Sequence, residues 1–239
     1  GLDYCTVNGE FTNDIGTKYS NTSTVQMGGV IGAVSQQSKL VRINFCCNNA
    51  NMTVKAHKCG GIIGNAFFSE INNSDNYGNI DVNYSANKAS STTISGVRTG
   101  GIMAYCSSVT TNPSNLIGCS NYGTISSQEP SSAVGGVAGL IRCYKLTQCH
   151  NLGNVIAPDS STGDSNYRGL LVGAITSSTD PSEFKECSLR GWIASKMDMS
   201  DKIEAGEDNY LNIGIGISMA PSVQCDSWNA NNISFAIER

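Results

Sequence analysis

The chain has 239 residues, of which 39% are hydrophobic and only 14% charged, with a net charge of -4. That apolar content supports a buried core and excludes a disordered chain, while the slight acidity and the lack of any lysine or arginine run exclude the electrostatic footprint of a nucleic-acid binder. No window approaches the roughly eighteen apolar residues a membrane-spanning helix needs.

Taken in order, two signatures alternate along the chain. Cys5 to Phe11 is a decayed copy of C-x-N-x-G-x-I, and a glycine-rich strand is predicted from Gly28. Cys46 to Met52 is a second decayed copy, followed by G-G-I-I-G from Gly60 to Gly64. Ser74 to Ile80 departs from the motif at one position; a Ser/Thr-rich insertion is predicted from Tyr84 to Thr99, then a glycine strand from Gly100. Cys119 to Ile125 and Cys149 to Val155 are the best copies, each followed by a glycine strand, at Gly135 and Gly169. Cys187 to Ile193 replaces the asparagine with Leu189; a more charged insertion from Met197 to Leu211, a weak strand at Ile213 and a decayed copy from Cys225 to Asn231 close the series. The chain begins at Gly1 without a methionine or an apolar leader, so any targeting peptide is expected to have been removed or to lie outside this sequence.

Successive glycine strands begin 32, 40, 35, 34 and 44 residues apart, the period range of solenoids and arrays. The apolar residues within each copy alternate over short stretches and are β-branched or small, which predicts strands. All five prolines fall between motifs, as expected if the motifs pair on both sides. The expected fold is all-β: a β-solenoid, a right-handed parallel β-helix of about six irregular coils, formed by residues 1–239 as a single repeat domain with its clearest repeats over 28–193. At one strand spacing per coil the stack is about 30 Å tall.

In such a stack each motif position becomes a column. Cysteine and the final Ile or Val can face inward, asparagine can bond to its equivalent one coil on, and glycine permits a positive φ or a close backbone approach. Ala50 replaces the glycine and would find a positive φ costly. The G-G-apolar-x-G strand followed by the cysteine motif resembles the GLUG-motif class of repeats of bacterial surface and secreted proteins, adhesins among them, over nearly the whole chain. The resemblance implies a β-helical shape, an extracellular or cell-surface location, and a role in adhesion or display, with no catalytic residue.

Ten cysteines invite a disulfide or metal reading, but Cys5, Cys46, Cys119, Cys149, Cys187 and Cys225 fall in one column, where buried thiols and disulfides are both open. Off-column Cys47, Cys59, Cys106 and Cys143 are the better candidates for pairing. His57 near Cys59 and His150 beside Cys149 lack recognised zinc spacing, and Asp198, Asp201, Glu204, Glu207 and Asp208 read as an exposed acidic loop rather than a calcium site, so no metal or cofactor is expected. Two histidines and no G-x-S-x-G elbow give no triad; the acids nearest a motif, Asp75, Asp81 and Asp226, are scattered, and no catalytic residue is assigned. The position between Asn and Gly carries the candidate binding face: Tyr77, Tyr122, Leu152, Arg190 and Trp228, which alternation points outward. The expected function is a non-enzymatic, adhesin-like module binding a glycan or a host or neighbouring-cell protein. A carbohydrate-active β-helix enzyme and a passive surface stalk are the alternatives.

Overall fold

The computed structural model describes residues 1–13, 25–35, 38–83, 97–106, 114–128, 132–142, 144–157, 167–175, 183–195, 200 and 202–204. Among these the secondary structure is all β, arranged in five sheets. The chain visits the sheets in rotation, and each strand pairs in parallel with its counterpart from the next repeat, an arrangement consistent with a β-helix or solenoid.

The first sheet is formed by Leu2–Asp3, Val41–Asn44, Ser69–Asn72, Ser114–Ile117, Tyr144–Thr147 and Glu183–Lys185. The second has only two residues per strand: Thr6–Val7, Cys47–Asn48, Asp75–Asn76, Ser120–Asn121, His150–Asn151 and Ser188–Leu189. The third runs from Glu10–Thr12 through Asn51–Val54, Ile80–Val82, Ile125–Ser127 and Val155–Ile156 to Trp192–Ala194. The fourth (Gln26–Gly28, Lys58–Gly60, Arg98–Gly100, Ala133–Gly135, Tyr167–Gly169) and the fifth (Ile31–Val34, Ile63–Ala66, Met103–Cys106, Ala138–Ile141, Val172–Ile175) meet at the glycines.

That meeting corrects the expected glycine strand. The paired glycines form a bend between two strands rather than lying within one, because the backbone turns back on itself: a Cβ on Gly60 would sit 2.1 Å from the carbonyl oxygen of Ile63. The insertion bounds change as well. Arg98 and Thr99 already belong to the fourth sheet, and Ile203–Glu204 pairs antiparallel with Trp192 and Ile193, the one antiparallel partner among the described strands.

The second glycine of each pair explains the asparagine column. A Cβ on Gly61, Gly101 or Gly136 would fall 2.4, 2.4 and 2.4 Å from the side-chain oxygens of Asn76, Asn121 and Asn151, so the amide occupies the space a larger residue would take. Each asparagine Nδ2 donates to the carbonyl two residues on and to the next Oδ1 up the stack: Asn48 to Asn76 at 2.7 Å, Asn76 to Asn121 at 2.8 Å, Asn121 to Asn151 at 2.8 Å. This buried ladder satisfies its own polar atoms and crosses the interior from the second sheet to the glycine bend. It separates two apolar cores. One holds Ile43, Ile71, Leu116, Leu146 and the cysteine column; the other holds Met52, Ile80, Ile125, Val155 and Ile193.

The ladder ends where both of its partners change. In the repeat whose glycine pair reads Gly169-Leu170, the residue that should be asparagine in the following repeat is Leu189, and both leucines are buried in the second core. Gly78, Gly123 and Gly153, the motif glycines, are required by close approach: a Cβ on each would lie 1.9 to 2.0 Å from the carbonyl of residue 50, 78 or 123 below. Positive φ recurs at the corner immediately before the cysteine, at Tyr4, Phe45, Asn73, Gly118, Gln148 and Glu186, and at the motif glycines of the first and last described copies, Gly9 and Gly191.

The column cysteines point inward as expected, with Ser74 standing in for the thiol. Their sulfhydryls donate to carbonyls of their own and the preceding strand, as Cys119 does to Ile71 O at 3.3 Å. None of the eight described cysteines is joined in a disulfide, off-column Cys47, Cys59 and Cys106 among them; Cys143 and Cys225 lie outside the described residues.

Candidate functional site

The second sheet is the narrowest face of the stack, one outward residue wide. Its outward column reads Thr6, Cys47, Asp75, Ser120, His150, Ser188, since the alternate residues are the buried asparagines and their replacements. On one side it is bordered by the positive-φ corner, on the other by the column running Asn8, Asn49, Tyr77, Tyr122, Leu152, Arg190.

Four predicted site residues are therefore brought together. Tyr77 and Tyr122 are 50% and 43% exposed and stack with centroids 4.5 Å apart and planes 6° from parallel. Leu152 and Arg190, half-buried, continue the same column, their amides donating to Asn121 O and Asn151 O. Trp228, the fifth, lies outside the described residues.

The opposite border adds a pair that motif-based reading passes over. Tyr4 and Phe45 stack at 5.1 Å and 8°, and are 77% and 48% exposed. Of the five large hydrophobic side chains exposed among the described residues, these four flank the two-residue sheet; only Ile203 lies elsewhere. The signal was the residue before each cysteine, a column that no shared residue type marks.

Between the aromatic borders the chemistry is polar. The Ser120 amide donates to Asp75 Oδ1 at 3.1 Å, and His150 Nδ1 shares a 2.6 Å hydrogen bond with the Ser188 hydroxyl. Burial raises the Asp75 carboxyl above its ordinary value, against the bonds from Ser120 and the nearby His150. Burial and then Asp75 also raise the Cys47 thiol, which keeps it protonated and donating to Asn49 Oδ1 at 3.1 Å. Tyr77 is raised for the same two reasons in the same order. In a hydrolytic relay a histidine stands between serine and carboxylate; here Ser120 stands between Asp75 and His150 and offers the carboxylate its backbone N–H.

The metal candidates are engaged otherwise. His57 is buried and its Nδ1 accepts the Val25 amide at 3.1 Å, while desolvation pushes the core thiol of Cys59 up to about 12. Among the described residues no group of three or more His, Cys, Asp or Glu is gathered to hold an ion. Of the acidic loop, Glu204 is described and accepts from Lys202 at 2.9 Å; Asp198, Asp201, Glu207 and Asp208 lie outside the described residues. A separate cleft of about 290 Å³ on the third sheet is lined by Glu10, Thr12, Asn51, Thr53, Asn79 and Asp81, with the Ser126 hydroxyl donating to Asp81 Oδ1 at 2.7 Å.

Comparisons with family models, with curated proteins and with solved structures find no match for this chain.

Proposed function

We propose that the chain is a non-enzymatic repeat module of the GLUG-like type, a right-handed β-helix of about six coils, that acts outside the cell or on its surface and captures a partner on its narrow second-sheet face. One observation supports this reading above the others: Tyr4, Phe45, Tyr77 and Tyr122 border one strip of the surface, with hydrogen-bonding groups between them. Monomeric proteins seldom concentrate exposed aromatics without a use, and amphipathic rings beside polar groups are what protein interfaces favour.

The stacking bears on the partner. A pyranose packs on an open ring face, but the facing sides of Tyr77 and Tyr122 are spent on each other, leaving edges and hydroxyls outward. A protein surface fits that edge-on presentation better than a sugar ring does. The test is binding of the purified chain to arrays of cell-surface proteins and of glycans, repeated with Tyr77→Ala/Tyr122→Ala and with Tyr4→Ser/Phe45→Ser. The proposal expects a protein ligand whose affinity falls at least about tenfold in each double variant while the circular dichroism spectrum is unchanged. Binding that both variants retain in full would place the partner away from this strip, and no binding to any protein or glycan would leave a passive stalk.

A second reading, a carbohydrate-active enzyme, is favoured by the third-sheet cleft, whose lining includes two carboxylates, Glu10 and Asp81, the residue type that cleaves glycosides. It expects reducing-sugar release from a polysaccharide panel, abolished by Glu10→Gln or Asp81→Asn; no release from any member would exclude it for those substrates.

A further inference from the structure

The glycine bend between the fourth and fifth sheets has an outer side as well as an inner one. Because the chain folds back so tightly there, outward side chains of the two sheets converge into a notch. Lys58 Nζ lies 3.4 Å from Asn65 Oδ1 and 4.0 Å from the ring centroid of Tyr105; the Arg98 guanidinium carbon lies 4.8 Å from the same centroid. Lys58 and Arg98 are paired in register, so their backbones stand one rung apart, about 4.8 Å, and both head groups lie over the one ring. Next along the notch Ala133, Leu140 and Ala174 form a small buried apolar cluster with Tyr105 and Tyr167 packed against it. The notch is across the stack from the aromatic strip, since the asparagine ladder runs from the second sheet to this bend.

Two like charges held over one ring repel each other, and the fold draws them together in a chain whose acidic residues outnumber its lysines and arginines by 19 to 15. The repulsion is visible in both neighbours. Burial and then Arg98 bring the Lys58 ammonium down to about 8, and burial, Lys58 and then Arg98 lower His57, which leaves that imidazole neutral. An oxyanion between the two cations offsets the repulsion and gains charge-assisted hydrogen bonds from both. We propose that Lys58 and Arg98 bind a carboxylate or sulfate in this notch, with Asn65 and Tyr105 as its walls and the Ala133–Leu140 cluster as an apolar shelf for the body that carries it. This site is independent of the aromatic strip, so either can fail without the other.

The test is a titration of isotopically labelled protein with sodium sulfate and, separately, sodium glucuronate, following the Lys58 and Arg98 side-chain resonances, with sodium chloride matched for ionic strength and glucose as the neutral control. Both oxyanions are expected to saturate the shifts while chloride and glucose do not. Lys58→Gln and Arg98→Gln are each expected to weaken binding roughly tenfold. Glucuronate binding well above sulfate would assign the oxyanion to an acidic sugar; equal affinity would assign the free anion. In the unmutated chain, where Arg98, Tyr105, Asn65 and His57 surround the ammonium, affinity should fall as pH rises through about 8 and Lys58 loses its proton. Shifts that follow ionic strength without saturating, or affinity unaltered in both variants and flat from pH 7 to pH 9, would overturn the site.

Discussion

Leu170 and Leu189 show at the level of single residues how the interior is specified. Elsewhere a glycine faces an asparagine of the next repeat; here both have become leucine, and polar contact has been exchanged for apolar burial. Leu189→Asn alone should cost about 2 kcal/mol or more, because the amide would be buried against Leu170 without the room the glycine provides. Leu170→Gly alone should cost about 2–5 kcal/mol by leaving a cavity. Together they rebuild a rung, with Asn151 below to bond the new amide, so urea unfolding of the double variant should show a loss smaller than the sum by about 1 kcal/mol or more. Strict additivity would mean that the two positions do not face each other. The positive-φ corner makes the opposite point about residue type. Tyr4, Phe45, Gln148 and Glu186 occupy a conformation that asparagine or glycine would adopt more readily, as Asn73 and Gly118 do. The stack imposes that corner on whatever side chain stands there, so no residue type marks it and the Tyr4–Phe45 pair is invisible to a motif.

At the scale of the element, the asparagine ladder is a row of side chains that belongs to the second sheet yet ties it to the glycine bend across the interior. Asn121 is its middle rung. Asn121→Ala would leave a donor on Asn76 and an acceptor on Asn151 unpaired in a buried site, a loss of roughly 2–4 kcal/mol measurable as a lower urea midpoint at unchanged m-value. A loss under about 0.5 kcal/mol would mean that water or a neighbour takes over both bonds. The ladder, the inward cysteines and the outward Tyr77–Tyr122 column were legible because one residue type recurs at one offset. The bend is not legible, because G-G-I-I-G alternates like a strand; only the close approach of Gly60 to the Ile63 carbonyl reveals the turn. The Lys58–Arg98–Tyr105 notch was illegible for a different reason. Lys58 comes from one repeat and Arg98 and Tyr105 from the two sides of the next repeat's bend, with no shared motif, so they meet only once the bend is known.

For the whole molecule, burial of ionisable groups makes stability depend on alkaline pH, with two opposing signs. Lys58 titrates near 8 in the fold against an ordinary 10.5, so between these values the unfolded chain binds more protons and stability should rise with pH. Cys59 titrates near 12 against 9.0, so the folded chain holds its proton longer; its contribution is complete below 9 and is lost as pH climbs towards 12. Thermal melts should therefore show stability rising from pH 8 to 9, levelling between 9 and 10.5 where the two gradients cancel, and falling above that, with Lys58→Met abolishing the rise and starting the fall from pH 9. A fall already under way between pH 8 and 9 in the unmutated chain would contradict the assignment of Lys58.

Everything proposed for the surface follows from repeats lying in register, and the ladder is the most direct witness to that register. In an amide-labelled sample, the side-chain NH2 groups of Asn48, Asn76, Asn121 and Asn151 should exchange slowly with solvent and show nuclear Overhauser contacts from each to the next, although Asn76 and Asn121 are 45 residues apart. Rapid exchange and no mutual contacts among the four would contradict the stack, and with it the aromatic strip and the cationic notch.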